Sequence, residues 1–245
     1  AVGIDVNVFA SSEDQNFSYI PKGWTAPEDV DYIHYTSNNT IFGTQFQDIP
    51  EVNAPLVCDM SSDIFSKSVD VSKFDLIYAG AQKNMGPAGA TLFIVKDEIL
   101  GKSTSEFMPK YLNLKNHADK ASMMNTPPVF SVFASMLNLR DLMATGGVQG
   151  AADRNKAKAD ALYAEIDENP MFKGTTAVED RSKMNVTFLL NDDSAKEEFD
   201  KMWNDAGIVG LKGHRSVGGY RASMYNALTL DSVKVLTEVM SEFTR

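Results

Sequence analysis

Residues 74–89 read FDLIYAGAQKNMGPAG. The segment opens as a short β-branched and aromatic run and passes directly into a loop of small and polar residues that carries one lysine, Lys83. A second apolar run, ATLFIV at 90–95, follows the loop, and two more of the same kind lie upstream, DYIHY at 31–35 and APLVC at 54–58. Each is short and mostly apolar, as strands covered on both faces are. Three of them end abruptly: DYIHY runs into TSNNT, APLVC into DMSS, and LIYAG into AQKN. That grammar predicts an α/β fold with a mostly parallel sheet. It places residues 34–40, Asp59 and Lys83 at the carboxyl ends of successive strands, the edge where open α/β sheets bind ligands.

Beyond this region, TPPVFSVFASMLNLRDLMA at 126–144 has two prolines at its first turn and apolar residues at helical spacing. Gly146-Gly147 follows as a stop. Thr126 is the expected cap of that helix. The texture then changes to a charged amphipathic stretch at 148–167, a strand at 184–190, a helix at 194–206 closed by Gly207, strand-like runs at 208–212 and 220–225, and a final helix at 230–244. A boundary near Gly146-Gly147 divides the chain into residues 1–145, part of a large α/β unit, and residues 146–245, a smaller α+β unit.

Composition narrows the function classes. The 245 residues are 43% hydrophobic and 23% charged, the usage of a folded globular chain rather than a disordered or fibrous one. With 23 basic and 33 acidic residues the formal net charge is −10, which disfavours a broad nucleic-acid-binding surface. No apolar run approaches the roughly 18–20 residues needed to cross a bilayer, and the first residues have neither the basic nor the apolar region of a signal peptide. The single cysteine, Cys58, permits no intramolecular disulfide and no thiolate-rich metal site, so a reducing cytoplasm is the expected setting. His34 and His117 lack metal-binding context and read as structural or surface residues; no metal is expected.

Three groups of residues invite chemistry. A partly buried lysine at a strand end has its pKa lowered and becomes a nucleophile for carbonyl carbon, so Lys83 suits a Schiff base with an aldehyde cofactor; the other reading is a turn lysine in water. Asp59 ends the preceding strand, and a carboxylate facing a lysine there matches pyridoxal phosphate, whose pyridine nitrogen an acid keeps protonated; the other reading is a turn-initiating Asp. LKGHRSVGGYRAS at 211–223 gathers Lys212, His214, Arg215 and Arg221, an anion site or a solvated basic loop. Its glycines at 213, 218 and 219 would let backbone approach a ligand. Asn125 and Thr126, ahead of a helix N-terminus, add a weaker phosphate-binding signal.

Taken together, HYTSNNT (34–40), CDMSS (58–62), YAGAQKNMGPAG (78–89), MMNTPP (123–128) and KGHRSVGGYRASMYNA (212–227) resemble the phosphoserine aminotransferases, pyridoxal-phosphate enzymes of the type I fold within class V. The resemblance runs from about Tyr32 to the C-terminus. It implies Lys83 as the Schiff-base lysine, Asp59 as partner of the pyridine nitrogen, and Gln82 and Thr40 as further cofactor contacts. Asn125 and Thr126 would reach the cofactor phosphate of a neighbouring subunit in a homodimer. Arg221 would take the substrate α-carboxylate, with His214 and Arg215 at the distal phosphate or carboxylate. The implied reaction moves an amino group between O-phospho-L-serine and 2-oxoglutarate, with 4-phosphohydroxy-L-threonine as a possible second substrate.

The resemblance also implies a preceding segment with a substrate-binding His-Arg pair, a small-residue phosphate turn and a ring-stacking Trp. None of these is present in the sequence, and Trp24, in a PKGW turn, is not that Trp. The chain is therefore expected to be the C-terminal two-thirds of such an enzyme, with an incomplete large-domain sheet. Two other readings stand beside it: another type I enzyme such as a cysteine desulfurase, and an inactive fragment acting at most as an anion-binding module.

Overall fold

The computed structural model describes residues 5–102, 108–215 and 217–244. Four strands, β1 (Ile33–Thr36), β2 (Leu56–Asp59), β3 (Leu76–Gly80) and β4 (Thr91–Val95), form one sheet in the order β1-β2-β3-β4. The first three are parallel and β4 closes the edge antiparallel to β3. Register sets Thr36 beside Asp59 and Asp59 beside Tyr78, so the carboxyl ends of three strands are level with one another. All four sequence-predicted strands are present, each one residue shorter and starting one or two residues later.

Side chains alternate across this sheet. Ile33, Leu56, Cys58, Ile77 and Ala79 point into one hydrophobic cluster with Met60, Ile64 and Phe74. The other face, bearing His34, Asp59, Tyr78 and Phe93, is half-buried or exposed. The sequence reading had both faces covered; here one face is core and the other carries polar and aromatic groups that are half-buried or exposed.

The second sheet is antiparallel, in the order β5 (Phe172–Gly174), β6 (Asn185–Leu190), β7 (Tyr220–Ser223). The helices in chain order are α1 (Leu114–Ala118), α2 (Val129–Ala144), α3 (Gly147–Glu168), α4 (Lys196–Asp205) and α5 (Leu230–Phe243). A second cluster, including Leu162, Ile166, Phe188, Phe199, Trp203, Tyr220 and Met240, lies between this sheet and α3, α4 and α5. In α3 the buried positions are 151, 155, 158, 159, 162 and 166, a helical stripe that contains two polar members, Asn155 and Lys158. Each fully buried aliphatic or aromatic side chain in these clusters contributes roughly 1.5–3 kcal/mol.

Two elements differ from the sequence reading. Helix α2 begins at Val129 with Pro128 at its cap position and no capping side chain, so Thr126 lies two residues before the cap rather than on it. The run at 208–212 is no strand: Lys212 makes only an isolated bridge to Tyr220, because Gly210 at φ +77° bends the chain away from a continuous ladder.

The Lys83 loop is seated by α2. Ser131 Oγ donates to the Ala88 carbonyl at 2.7 Å and Asn138 Nδ2 to the Met85 carbonyl at 2.9 Å. A Cβ on Gly86 would sit 2.6 Å from Ser135 Oγ and 3.1 Å from its backbone nitrogen, so this glycine is what allows helix and loop to touch.

Candidate active site

Lys83 lies in the turn after β3, half-buried, and its Nζ donates to Thr40 Oγ1 at 2.9 Å. Burial lowers its pKa; the Asp59 charge acts against that shift, and the Arg221 charge adds to it. Those causes place an anion and a second cation close to the amine. Thr40, which only the resemblance had singled out, is fixed by its own loop. Asn39 Oδ1 accepts from the backbone of Ile41 and Phe42, and Gly43, at φ +77°, turns the chain onto β6. A side chain on Gly43 would collide with Thr187 Oγ1 at 2.6 Å and with the Asn185 carbonyl at 2.9 Å. Thr187 is the register partner of Arg221, so the loop that holds Thr40 is docked against the strand that holds the arginine.

Asp59 makes the turn contact considered for it. Its Oδ1 accepts the Ser61 backbone N–H at 2.8 Å, a turn contact that also orients the carboxylate, and Ser61 Oγ in turn accepts from Gly80 N at 3.1 Å. Tyr78, level with Asp59, is pushed up to about 12 by burial and then by the Asp59 charge and hydrogen bond. His34 Nε2 lies 3.0 Å from the Tyr78 hydroxyl and the rings stack, with burial holding the imidazole pKa down. Sequence reasoning set His34 aside and did not single out Tyr78. The available signal was register: His34, Asp59 and Tyr78 alternate onto one sheet face.

The basic loop divides. Arg221, on β7, is half-buried, and its Nε is buried with no hydrogen-bond partner on the protein. Arg215 is exposed and His214 half-buried, in a turn whose Val217 and Gly218 amides both donate to the His214 carbonyl at 2.9 Å. Lys212 does not join them: it pairs with Asp200 at 3.4 Å, and Asp200 also accepts from Trp203 and Tyr220. The loop glycines serve the protein's own backbone. A Cβ on Gly213 would meet the Gly218 carbonyl at 2.0 Å, and one on Gly219 would meet Leu189 at 2.3 Å, so close approach at both positions is intramolecular.

Gln82 is exposed on the Lys83 turn, folded back over Gly80. Asn125 and Thr126 are exposed ahead of α2, with Asn125 Nδ2 bonded to the Thr126 carbonyl at 3.0 Å; no described contact joins them to Lys83. Cys58 is fully buried and its thiol is pushed up to about 12, which removes it as a nucleophile. Among the described residues no cluster of metal-ligating side chains occurs, and no helix is long and apolar enough to cross a membrane.

The chain that carries this half-buried lysine, fixed carboxylate and guanidinium is similar to known proteins along most of its length. The family model for aminotransferase class V matches residues 1–236. A phosphoserine aminotransferase of Flavobacterium psychrophilum is 62% identical over 235 residues, which cover 96% of this chain and 66% of that relative. The solved phosphoserine aminotransferase of Bacillus circulans subsp. alkalophilus superposes with a TM-score of 0.94 at 40% identity, covering 98% of this chain and 68% of that one. The phosphoserine aminotransferase of Trichomonas vaginalis, solved with pyridoxal phosphate bound, gives 0.92 at 34% identity with the same coverage. The chain thus spans about two thirds of the length of these relatives. It has the type I fold over the part it covers, and it belongs to the class-V aminotransferases and, within them, to the phosphoserine aminotransferase family.

Proposed function

We propose that the chain carries the catalytic lysine of an aminotransferase that moves an amino group between O-phospho-L-serine and 2-oxoglutarate, giving 3-phosphohydroxypyruvate and L-glutamate, in cytoplasmic serine biosynthesis. The observation that carries the reading is Lys83: a half-buried amine hydrogen-bonded to Thr40, its pKa lowered by burial and acted on by the charges of Asp59 and Arg221. The same constellation suits 4-phosphohydroxy-L-threonine and hence a part in pyridoxine biosynthesis. A two-unit division at 1–145 and 146–245 is supported by the two separate hydrophobic clusters.

Pyridoxal phosphate fits the residues present. A lysine amine of lowered pKa is the group an aldehyde cofactor needs, and a carboxylate oriented by Ser61 N–H can face a protonated ring nitrogen. Arg221 Nε, buried and unpartnered, awaits an acceptor. When bound, the cofactor supplies an electron sink for the substrate's Cα. Lys83 would hold it and, once free, carry a proton to and from that Cα, a role that its lowered pKa favours. Asp59 would keep the ring nitrogen charged, with Tyr78 and Ser61 orienting the carboxylate. Thr40 and Gln82 would line the ring's side of the pocket. Arg221 would take the α-carboxylate in a bidentate pair, and His214 and Arg215 the distal phosphate.

Asn125 and Thr126 would act across a homodimer interface on the partner's cofactor phosphate. Support comes from α2, which follows them directly and leaves Val129, Phe130, Val132 and Phe133 exposed, Phe130 to 75%. Exposed apolar residues grouped in this way favour association with another surface.

The test is to incubate the chain with pyridoxal phosphate, reduce with borohydride and map the modified lysine by mass spectrometry, alongside an assay of amino transfer from O-phospho-L-serine. Modification of Lys83 is the expected result. A cofactor fixed to another lysine, or to none, overturns the assignment and leaves the anion-binding reading.

A further inference from the structure

Three segments follow the three central residues of the site. Asp59 is followed by the turn at 61–66, Lys83 by Asn84, and Arg221 by the stretch 224–226. They meet in a cluster of three asparagine side chains. Asn84 Nδ2 donates to the Ile64 carbonyl at 3.0 Å, and its Oδ1 accepts the Asn226 backbone N–H at 3.0 Å. Asn226 Nδ2 donates to the Phe65 carbonyl at 3.0 Å, and its Oδ1 accepts from Asn155 Nδ2 at 2.8 Å. Asn155, 1% exposed on α3, also donates to the Ser66 carbonyl at 3.3 Å.

Phe65 holds a left-handed φ of +59°, a conformation that costs a bulky residue energy unless something fixes it, and the Asn226 amide bonds its carbonyl. One helical turn further along α3, Lys158 donates to the carbonyls of Met224 and Tyr225 at 3.0 and 2.9 Å. The stretch 224–226 is therefore held on one side by α3 and on the other by the residue next to Lys83.

We propose that Asn84, Asn155 and Asn226 are positioning residues, a shared amide anchor that fixes the mutual placement of Asp59, Lys83 and Arg221. The proposal rests on the reading of those three as the reacting site. A hydrophobic contact would tolerate sliding; directional bonds between amides and carbonyls do not, because displacement would unpair further buried polar groups beside Asn155 Oδ1, which is buried without a partner. None of the three asparagines has to touch a ligand. Each acts through the backbone that carries a residue which does.

The experiment follows the Lys83 amine without the cofactor. Reductive methylation with formaldehyde and cyanoborohydride, quantified by mass spectrometry across a pH series, gives the midpoint at which Lys83 titrates. Asn84→Ala and Asn155→Ala are each expected to raise that midpoint by about half a unit or more, toward an ordinary lysine, as the turn opens to water and Arg221 moves off. Asn169→Ala supplies the comparison: Asn169 bonds the Met240 carbonyl at 3.0 Å in the second cluster, so its loss lowers the melting temperature without moving the Lys83 midpoint. Asn155 lies on another helix, so its variant decides the matter if Asn84→Ala does not fold.

A folded variant with an unchanged midpoint, or an equal shift in Asn169→Ala, overturns the proposal. The readout is independent of cofactor binding. If pyridoxal phosphate fails to mark Lys83 in the unsubstituted chain, it is the functional reading that has failed; if it marks Lys83 but these midpoints do not move, the anchor has failed.

Discussion

Lys83 and Lys158 are both amines withdrawn from water, in two different regions of the chain. Burial lowers the pKa of each, Lys158 to about 8. Their surroundings differ in kind. Lys158, 0% exposed, meets only carbonyl oxygens and has Arg154 as its one perturbing charge. Lys83 is half-open and has a hydroxyl, a carboxylate and a guanidinium around it. A depressed lysine is thus no sign of chemistry by itself. What separates the two is access and the company of groups that can move or hold charge.

The comparison is broken most decisively at Lys83. Lys83→Ala is expected to abolish amino transfer and the borohydride-fixable cofactor while leaving the melting temperature nearly unchanged, since the side chain contributes one hydrogen bond and little packing. A residual rate near that of the parent would mean the two lysines are alike after all. Asp59→Asn comes next. A neutral amide cannot hold a ring nitrogen's positive charge, so the rate should fall about a hundred-fold or more, roughly 2.7 kcal/mol, with the cofactor still attached. An unchanged rate would reduce Asp59 to its turn contact with Ser61.

Arg221→Ala should weaken every amino-acid substrate by about ten-fold or more, the value of a charge-assisted bidentate pair. Arg215→Ala is expected to act more selectively, with O-phospho-L-serine losing more than an amino acid of neutral side chain; steady-state kinetics on both substrates check this, and equal losses would sink its role at the distal group.

The smallest effect on rate belongs to Lys158, whose signature is in stability. Its folded pKa of about 8 lies below the unfolded value of about 10.4, so between those pH values the unfolded chain binds more protons and stability rises with pH. Lys158→Met should remove that rise. Because the Cys58 thiol and the buried Tyr163, both raised in the folded chain, ionise at lower pH once unfolded and so oppose that rise, the comparison is between denaturation curves of parent and variant at pH 7.5 and about 10. Parallel pH dependence in the two would show that Lys158 is not the group responsible.

The sequence disclosed the first sheet and its functional edge well, because short apolar runs ending in polar loops are a local signal: residues 54–59 and 74–83 suffice to place Asp59 and Lys83. In the basic loop the structure separates residues that the sequence had grouped. Lys212 belonged to Asp200, a partner twelve positions away that no spacing rule selects. The glycines at 213 and 219 served turn closure, which looks the same in sequence as ligand approach. Tyr78 and the three asparagines were illegible because their roles arise from register and from contacts spanning up to 161 positions, as between Asn226 and Phe65. Asn155 and Lys158 did leave a trace, as polar members of an otherwise apolar stripe on α3.

The junction between the two sheets has a thermal consequence. Asn38 bridges Ser62 and Asn185 at 2.8 Å each, Gly43 rests on Thr187, and Asn84 meets Asn226, so the seam is polar while the bodies on either side are hydrocarbon. Hydration of exposed apolar surface raises heat capacity on unfolding and hydration of polar surface lowers it. Parting the seam therefore carries less of the positive heat-capacity change than melting either body does. Cooling weakens the apolar interiors relative to their warm-temperature strength without weakening the seam in the same way. The register of lysine, carboxylate and arginine is thereby set by bonds whose temperature response is decoupled from that of the cores they join.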